Sequence, residues 1–182
     1  MPAREDRLAR LYDKYNRAIR AYCLRRVRDD DVSDAVADVF AVAWRRIDDV
    51  PIEEVALPWL YGVARRVVAD HYRSQNRRTR LTAKVSGVRP PVPIQPDLQV
   101  VQLAEYHQVH EALAALRGKD REILLLAAWE ELSNSEIAEI VGCSTTAAAQ
   151  RLYRAKQRLG RAYRAMSRNG LPPAVADGSE RA

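Results

Sequence analysis

Along the first third of the chain, apolar positions return at the three- and four-residue spacing of a single helix face. Leu8, Leu11, Tyr15, Ile19 and Tyr22 make one such stripe, which stops near Val27 where a run of aspartates begins. Val36, Val39, Phe40, Ala43 and Ile47 make a second. A third follows Pro58, a residue suited to a first helical turn, through Leu60, Tyr61, Ala64, Val67, Val68 and His71. Three short amphipathic helices can bury their stripes only against one another, which predicts a small bundle.

The pattern lapses after Leu81. The segment AKVSGVRPPVPIQPDLQV carries Pro90, Pro91, Pro93 and Pro96, each of which lacks a backbone donor and turns its predecessor away from helix. A linker, partly extended, is predicted there. Helical spacing resumes with Tyr106, Val109, Leu113 and Leu116 and breaks at Gly118, after which Asp120 is placed to cap a helix containing Ile123, Leu124 and Ala127. Ser133 and Glu136 have the spacing of a capping box, Ile137, Ile140 and Val141 supply a buried side, and Gly142 suits a stop with positive φ. Ser144 then starts a helix on which Leu152, Ala155 and Leu159 lie together, while Gln150, Arg151, Arg154 and Arg158 point mainly elsewhere. The expected fold class is all-α. Two small helical domains, 5–80 and 105–167, are joined by a Pro-rich linker over 81–104 and followed by a flexible tail over 168–182, and the second domain contains a helix-turn-helix.

Charge adds a direction to this outline. The chain of 182 residues has a formal charge of +6, which favours an anionic partner without separating nucleic acid from acidic protein or lipid. Its distribution says more. Asp29, Asp30, Asp31, Asp34 and Asp38 form an acidic patch, whereas Arg151, Arg154, Lys156, Arg158, Arg161, Arg164 and Arg168 follow Ser144 with no acid among them. The C-terminal end is suited to phosphate, the N-terminal one to something less anionic.

Other chemistries find little support. Cys23 and Cys143 stand far apart in no ligand-like spacing, which fits a reducing cytoplasm better than a disulfide scaffold. MPAREDRLAR lacks the apolar core of a signal peptide, and no apolar run approaches the roughly 20 residues that span a bilayer, so a cytoplasmic protein without membrane insertion is expected. His107 and His110 can share a face with Glu111, but no further Cys or His completes a metal site, and no phosphate loop or nucleophile motif is present. The expectation is a protein that is not an enzyme and needs no metal or cofactor.

The VGCS turn between two short helices makes a helix-turn-helix candidate, in which the second helix enters the major groove with its beginning near the base edges. Ser144 opens the duplex-recognition set at the helix start, Thr145, Thr146 and Ala147 lie near the groove floor, Gln150 and Arg151 are one turn along, and Arg154 and Arg158 reach toward phosphate or bases. Gln pairs with adenine, Arg with guanine, and Thr offers a hydroxyl or a methyl. A helical hairpin with a merely solvated basic face is the alternative reading of the same residues.

ALAALRGKDREILLLAAWEELSNSEIAEIVGCSTTAAAQRLYRAKQRL resembles the DNA-reading C-terminal domain of extracytoplasmic-function sigma factors, a branch of the sigma-70 family. DAVADVFAVAWRRI resembles the same family's segment for docking on the largest subunit of RNA polymerase, and LPWLYGVARRVVADHYRSQNRR its promoter-melting helix. The resemblance implies a subunit that binds core RNA polymerase and directs initiation at promoter DNA, with an anti-sigma factor as a further partner. It places Asp34, Asp38, Phe40 and Trp44 in the polymerase-binding segment. It places Asp49 and Val50 in the loop that accepts a flipped base of the melted strand, with Trp59 and Tyr61 as aromatic surface and Arg65, Arg66, Arg73, Arg77 and Arg78 as the accompanying charge. Departures from the family pattern fall at Ala37, at Arg66, in the acidic loop Pro51–Leu57 and in Thr146–Ala149, so promoter choice does not transfer. A stand-alone helix-turn-helix regulator and a helical adaptor are the competing functions.

Overall fold

A computed structural model describes residues 2–82 and 103–170, with side chains over 3–74 and 108–167. Among the described residues all regular structure is helical: α1 (Pro2–Leu24), α2 (Asp29–Arg45), α3 (Ala56–Thr82), α4 (Leu103–Ala115), α5 (Gly118–Ala128), α6 (Asn134–Val141) and α7 (Thr145–Gly170). Two short 3-10 turns, Ile47–Asp49 and Glu53–Val55, carry the chain from α2 to α3. The segment read as a linker is helical at its two ends, where 81–82 belong to α3 and 103–104 to α4, and the rest of it, with most of the segment read as a tail, lies outside the described residues.

Helices α1, α2 and α3 pack mutually, and the three apolar stripes meet as expected: Leu11, Ile19, Tyr22, Val39, Ala43, Ile47, Leu60 and Ala64 are all buried. His71 departs from its stripe, since its ring lies part-exposed and pairs with Asp38 across the α2–α3 groove at 3.1 Å. In the second half, α4, α5 and α6 each pack on α7, around Leu113, Ile123, Leu126, Ile137, Ala148 and Ala155.

Local chemistry sets the helix ends. Ser133 Oγ accepts from the Glu136 amide at 3.3 Å while Glu136 Oε2 accepts from the Ser133 amide at 2.8 Å, which makes the reciprocal box that satisfies two orphan donors of α6. Gly142 ends α6 at φ 75°, a left-handed conformation that glycine adopts without steric cost. Ser144 Oγ accepts from the Ala147 amide at 3.2 Å at the start of α7.

Asp120 does not cap α5. The helix starts two residues earlier, after Arg117, and the Asp120 carboxylate instead takes Arg158 Nη1 at 2.7 and 2.8 Å. The break before α5 accordingly falls at Leu116 and Arg117, and Gly118 is the first helical residue. The carbonyls that α4 leaves at its end are taken by Arg121, whose guanidinium donates to Leu113, Ala114 and Leu116.

The two halves also touch. α6 packs on α3, and the end of α1 meets α5, so the buried side chains of both halves form one continuous cluster.

Candidate nucleic-acid interface

Helix α2 buries Val32, Ala35, Val36, Val39, Phe40 and Ala43. Its opposite side is left with Asp34, Ala37 and Asp38 in solvent, because residues three and four apart share a face. Phe40 belongs to the core and stacks edge-on with Tyr12 at 4.8 Å. Trp44, one turn on, is 36% exposed with the Arg4 guanidinium over its ring at 5.7 Å. Leu8, Ala9, Tyr12, Phe40 and Trp44 line an apolar groove of about 470 Å³ rimmed by Glu5 and Asp13. Asp38 and Trp44 thus present a charge and an apolar surface on one helix, a combination suited to a protein partner with a basic rim.

The loop after α2 is held from below. Arg7 donates from Nη1 to the Ile47 carbonyl at 2.9 Å and from Nη2 to Val50 and Pro51 at 2.6 and 3.0 Å, while Tyr15 donates to the Glu53 carbonyl. These bonds fix a backbone that has no ladder of its own. Val50 is buried beneath the loop, and Asp49 stays in solvent, paired with Arg46 at 2.9 Å. Trp59 is half-buried, with Arg46 over its ring at 5.8 Å.

Tyr61 is not the aromatic surface that the resemblance implies. Its ring is 4% exposed and lies 5.3 Å from the Tyr22 ring in the core, and burial pushes its hydroxyl up to about 12. Tyr61 lies two positions after Trp59, which turns their side chains about 200° apart on a helix, so only one of the two can face outward. Arg65 is half-buried, Arg66 is exposed, and Arg73 pairs with Asp70. The side chains of Arg77 and Arg78 lie outside the described residues.

On α7, Ala148 and Ala155 are fully buried against the other helices, and Leu152 and Leu159 are partly so. Thr145, Thr146, Gln150, Arg151 and Arg154 are exposed, and Ser144, though exposed, spends its hydroxyl on the cap. Ala147 is half-buried. Arg151, Arg154 and Arg158 recur at three and four residues and so form one outward stripe, but only Arg158 is tied to a carboxylate of the fold. A helix braced by a Gly-ended partner, presenting hydroxyls, an amide and guanidinium groups at its beginning, has the donors that read major-groove base edges and phosphates.

Residues 11–78 match the family model for sigma-70 region 2, and residues 106–159 match that for sigma-70 region 4. The chain belongs to the sigma-70 family and is a sigma factor of the extracytoplasmic-function type. It is similar to the RNA polymerase sigma factor NccH of Alcaligenes xylosoxydans xylosoxydans, with 28% identity over 144 residues covering 73% of each chain. It is also 29% identical to the RNA polymerase sigma factor CnrH of Cupriavidus metallidurans over 141 residues, again 73% of each chain. The solved structure of CnrH in complex with the cytosolic domain of CnrY superposes with a TM-score of 0.61 at 25% identity, covering 87% of this chain and 88% of that one. The sigma factor RpoE of Bartonella quintana, solved with the anti-sigma factor NepR, shares the fold at a TM-score of 0.61 and 23% identity, over 88% of this chain and 95% of that one.

As a sigma factor the protein binds RNA polymerase and directs it to promoters. The α1–α3 bundle is its region 2 and the α4–α7 half its region 4. Among the described residues no helix is long and apolar enough to cross a membrane. The sigma factor also contains groups that the sequence patterns did not single out: Arg7 under the loop, beside the hydroxyl of the stripe residue Tyr15, and Arg25, Arg26, Glu122 and Glu130 between the halves. One signal for the last set was available, since Arg26 continues the stripe of Tyr15, Ile19 and Tyr22 and puts a charge on an apolar face.

Proposed function

We propose that three outward faces of the sigma factor divide its work. The α2 face of Asp34, Asp38 and Trp44 docks on the polymerase largest subunit, with Phe40 acting from the core beneath. The surface of Asp49, Trp59, Arg65, Arg66 and Arg73, extended by Arg77 and Arg78, takes the melted strand. The exposed start of α7, from Thr145 to Arg154, reads duplex DNA upstream. The observation that carries this division is that exposed Asp34 and Asp38 share α2 with the exposed Trp44, while an acid-free run of basic side chains follows Ser144 on α7, within a chain that matches regions 2 and 4 in order. The same groove beside Trp44 suits an apolar segment of an anti-sigma factor, which would then compete with polymerase for it.

The test is reconstituted transcription with core polymerase on a genomic promoter library. Chain-dependent starts are expected, and Asp34→Lys with Asp38→Lys removes them while circular dichroism stays unchanged, because both side chains are exposed. If folded protein and active core give no chain-dependent starts, the proposal falls.

A further inference from the structure

One of the two exposed acids of α2 is held by a side chain from another helix. His71 Nε2 on α3 lies 3.1 Å from Asp38 Oδ2, and because a carboxylate only accepts, the imidazole is the donor. The two side chains differ in freedom. That of His71 is 21% exposed and that of Asp38 61%, so the ring is seated in the fold while the carboxylate stands in solvent. His71 follows the buried Val67 and Val68 at helical spacing, and α3 packs on α2, whose Ala35 and Val39 are fully buried.

No side chain of α2 is placed to do the same. At three and four residues from Asp38 stand Asp34, Ala35, Ala41 and Val42, a second carboxylate and three aliphatic groups. Asp34 repels Asp38 at that spacing, as like charges one turn apart do. Among the described residues the bond from His71 is the only one Asp38 accepts; its Oδ1 stays free, and Asp34 accepts none. The pair adds little to the stability of the fold, because a contact this open to water is screened. Its consequence is where the carboxylate points. A free aspartate gives up rotamer freedom when a partner fixes it, whereas one already held gives up less and is bound more tightly.

We infer that His71 is a positioning residue for polymerase docking: from α3 it holds Asp38 by Oδ2 and leaves Oδ1 facing a basic group of the partner. The inference rests on the proposed assignment of the α2 face to polymerase. The same geometry has a rival consequence of opposite sign. A ring that polymerase had to displace from Asp38 would compete with docking, and its removal would strengthen the complex.

The experiment titrates core RNA polymerase into the fluorescently labelled full chain and follows anisotropy. It compares the unaltered protein with His71→Ala, His71→Gln, Asp38→Ala and the double variant of His71→Ala with Asp38→Ala, while circular dichroism and the urea midpoint report the fold. His71→Ala is expected to weaken docking roughly threefold, the scale of fixing one side chain, with helix content retained. His71→Gln, whose amide N–H can take the place of the imidazole donor, restores most of that loss. In the Asp38→Ala background His71→Ala has no further effect, because the residue it acts through is gone. A merely structural histidine would carry its loss into that background. His71→Phe keeps a ring and lacks the donor, and it repeats the comparison if the smaller side chain loosens the contact between α2 and α3. Docking that is unchanged or strengthened without the donor overturns the inference, as does the same loss in the absence of Asp38. Asp38→Ala separates the two levels: if it leaves docking unchanged, the assignment of Asp38 to polymerase falls and the positioning role with it, whereas docking weakened by Asp38→Ala and not by His71→Ala removes the positioning role alone.

Discussion

Arg154 and Arg158 lie one turn apart on the same stripe of α7, and the structure makes opposite predictions for them. Arg154 is exposed and held by no carboxylate, whereas Arg158 Nη1 is bonded to both oxygens of Asp120, a carboxylate that is itself mostly buried. Each phosphate neutralised on duplex DNA contributes a slope of about −0.9 to log affinity against log salt. Between 50 and 200 mM salt the loss of one contact therefore changes the affinity ratio by about 3.5-fold. Arg154→Ala is expected to flatten the slope by that amount. Arg158→Ala is expected to leave the slope unchanged and instead to lower stability by roughly 1 kcal/mol, the upper end for a partly exposed pair, because it strands Asp120 between α5 and α7. Anisotropy titrations of duplex DNA over that salt range and urea unfolding of each variant measure both quantities. An equal loss of slope in the two variants would refute the reasoning, since Arg158 would then have left Asp120 for a phosphate.

Three further outcomes follow from the same geometry. Ser133→Ala removes one half of the reciprocal cap on α6 and lowers stability by about 1 kcal/mol, read from the urea midpoint at unchanged m-value. Gly142→Ala meets no atom within 4 Å, so its cost is conformational alone, again about 1 kcal/mol, and duplex binding survives at temperatures well below the transition. Cys23 is buried, and its thiol is pushed up to about 12 mainly by desolvation, so at pH 8 it is protonated and unreactive. Ellman's reagent should count only the part-exposed Cys143 in native protein and both thiols in denaturant; two fast thiols in the native state would contradict the packing.

Features governed by near neighbours were legible in the sequence. The three stripes of region 2, the cap at Ser133 and the left-handed stop at Gly142 each depend on residues within one or two turns, and apart from His71 each is found where the pattern places it. Asp120 shows the limit. Its position suits a cap, but the carboxylate satisfies an arginine 38 residues away, a choice set by how α5 lies on α7. Tyr61 shows a conflict within the sequence itself, because the family motif offers it as aromatic surface while the apolar stripe assigns it to the core, where it is found. The contact between the halves was out of reach for the same reason as the Asp120 pair: Arg26 finds its carboxylates 96 and 104 residues along the chain. The small residues of TTAAA resolve into different tasks, for Ala148 is buried packing while Thr145 and Thr146 face out.

That division on α7 bears on how such a protein changes over generations. The side that anchors the helix, Ala148, Leu152, Ala155 and Leu159, shares no residue with the exposed side proposed to meet DNA. Under the proposed assignment, substitutions among Thr145, Thr146, Gln150, Arg151 and Arg154 would alter the set of genes reached while leaving the scaffold's stability nearly untouched, since exposed positions away from caps and cores tolerate exchange. A lineage can in this way acquire a new regulon through a handful of surface changes, without first surviving a misfolded intermediate.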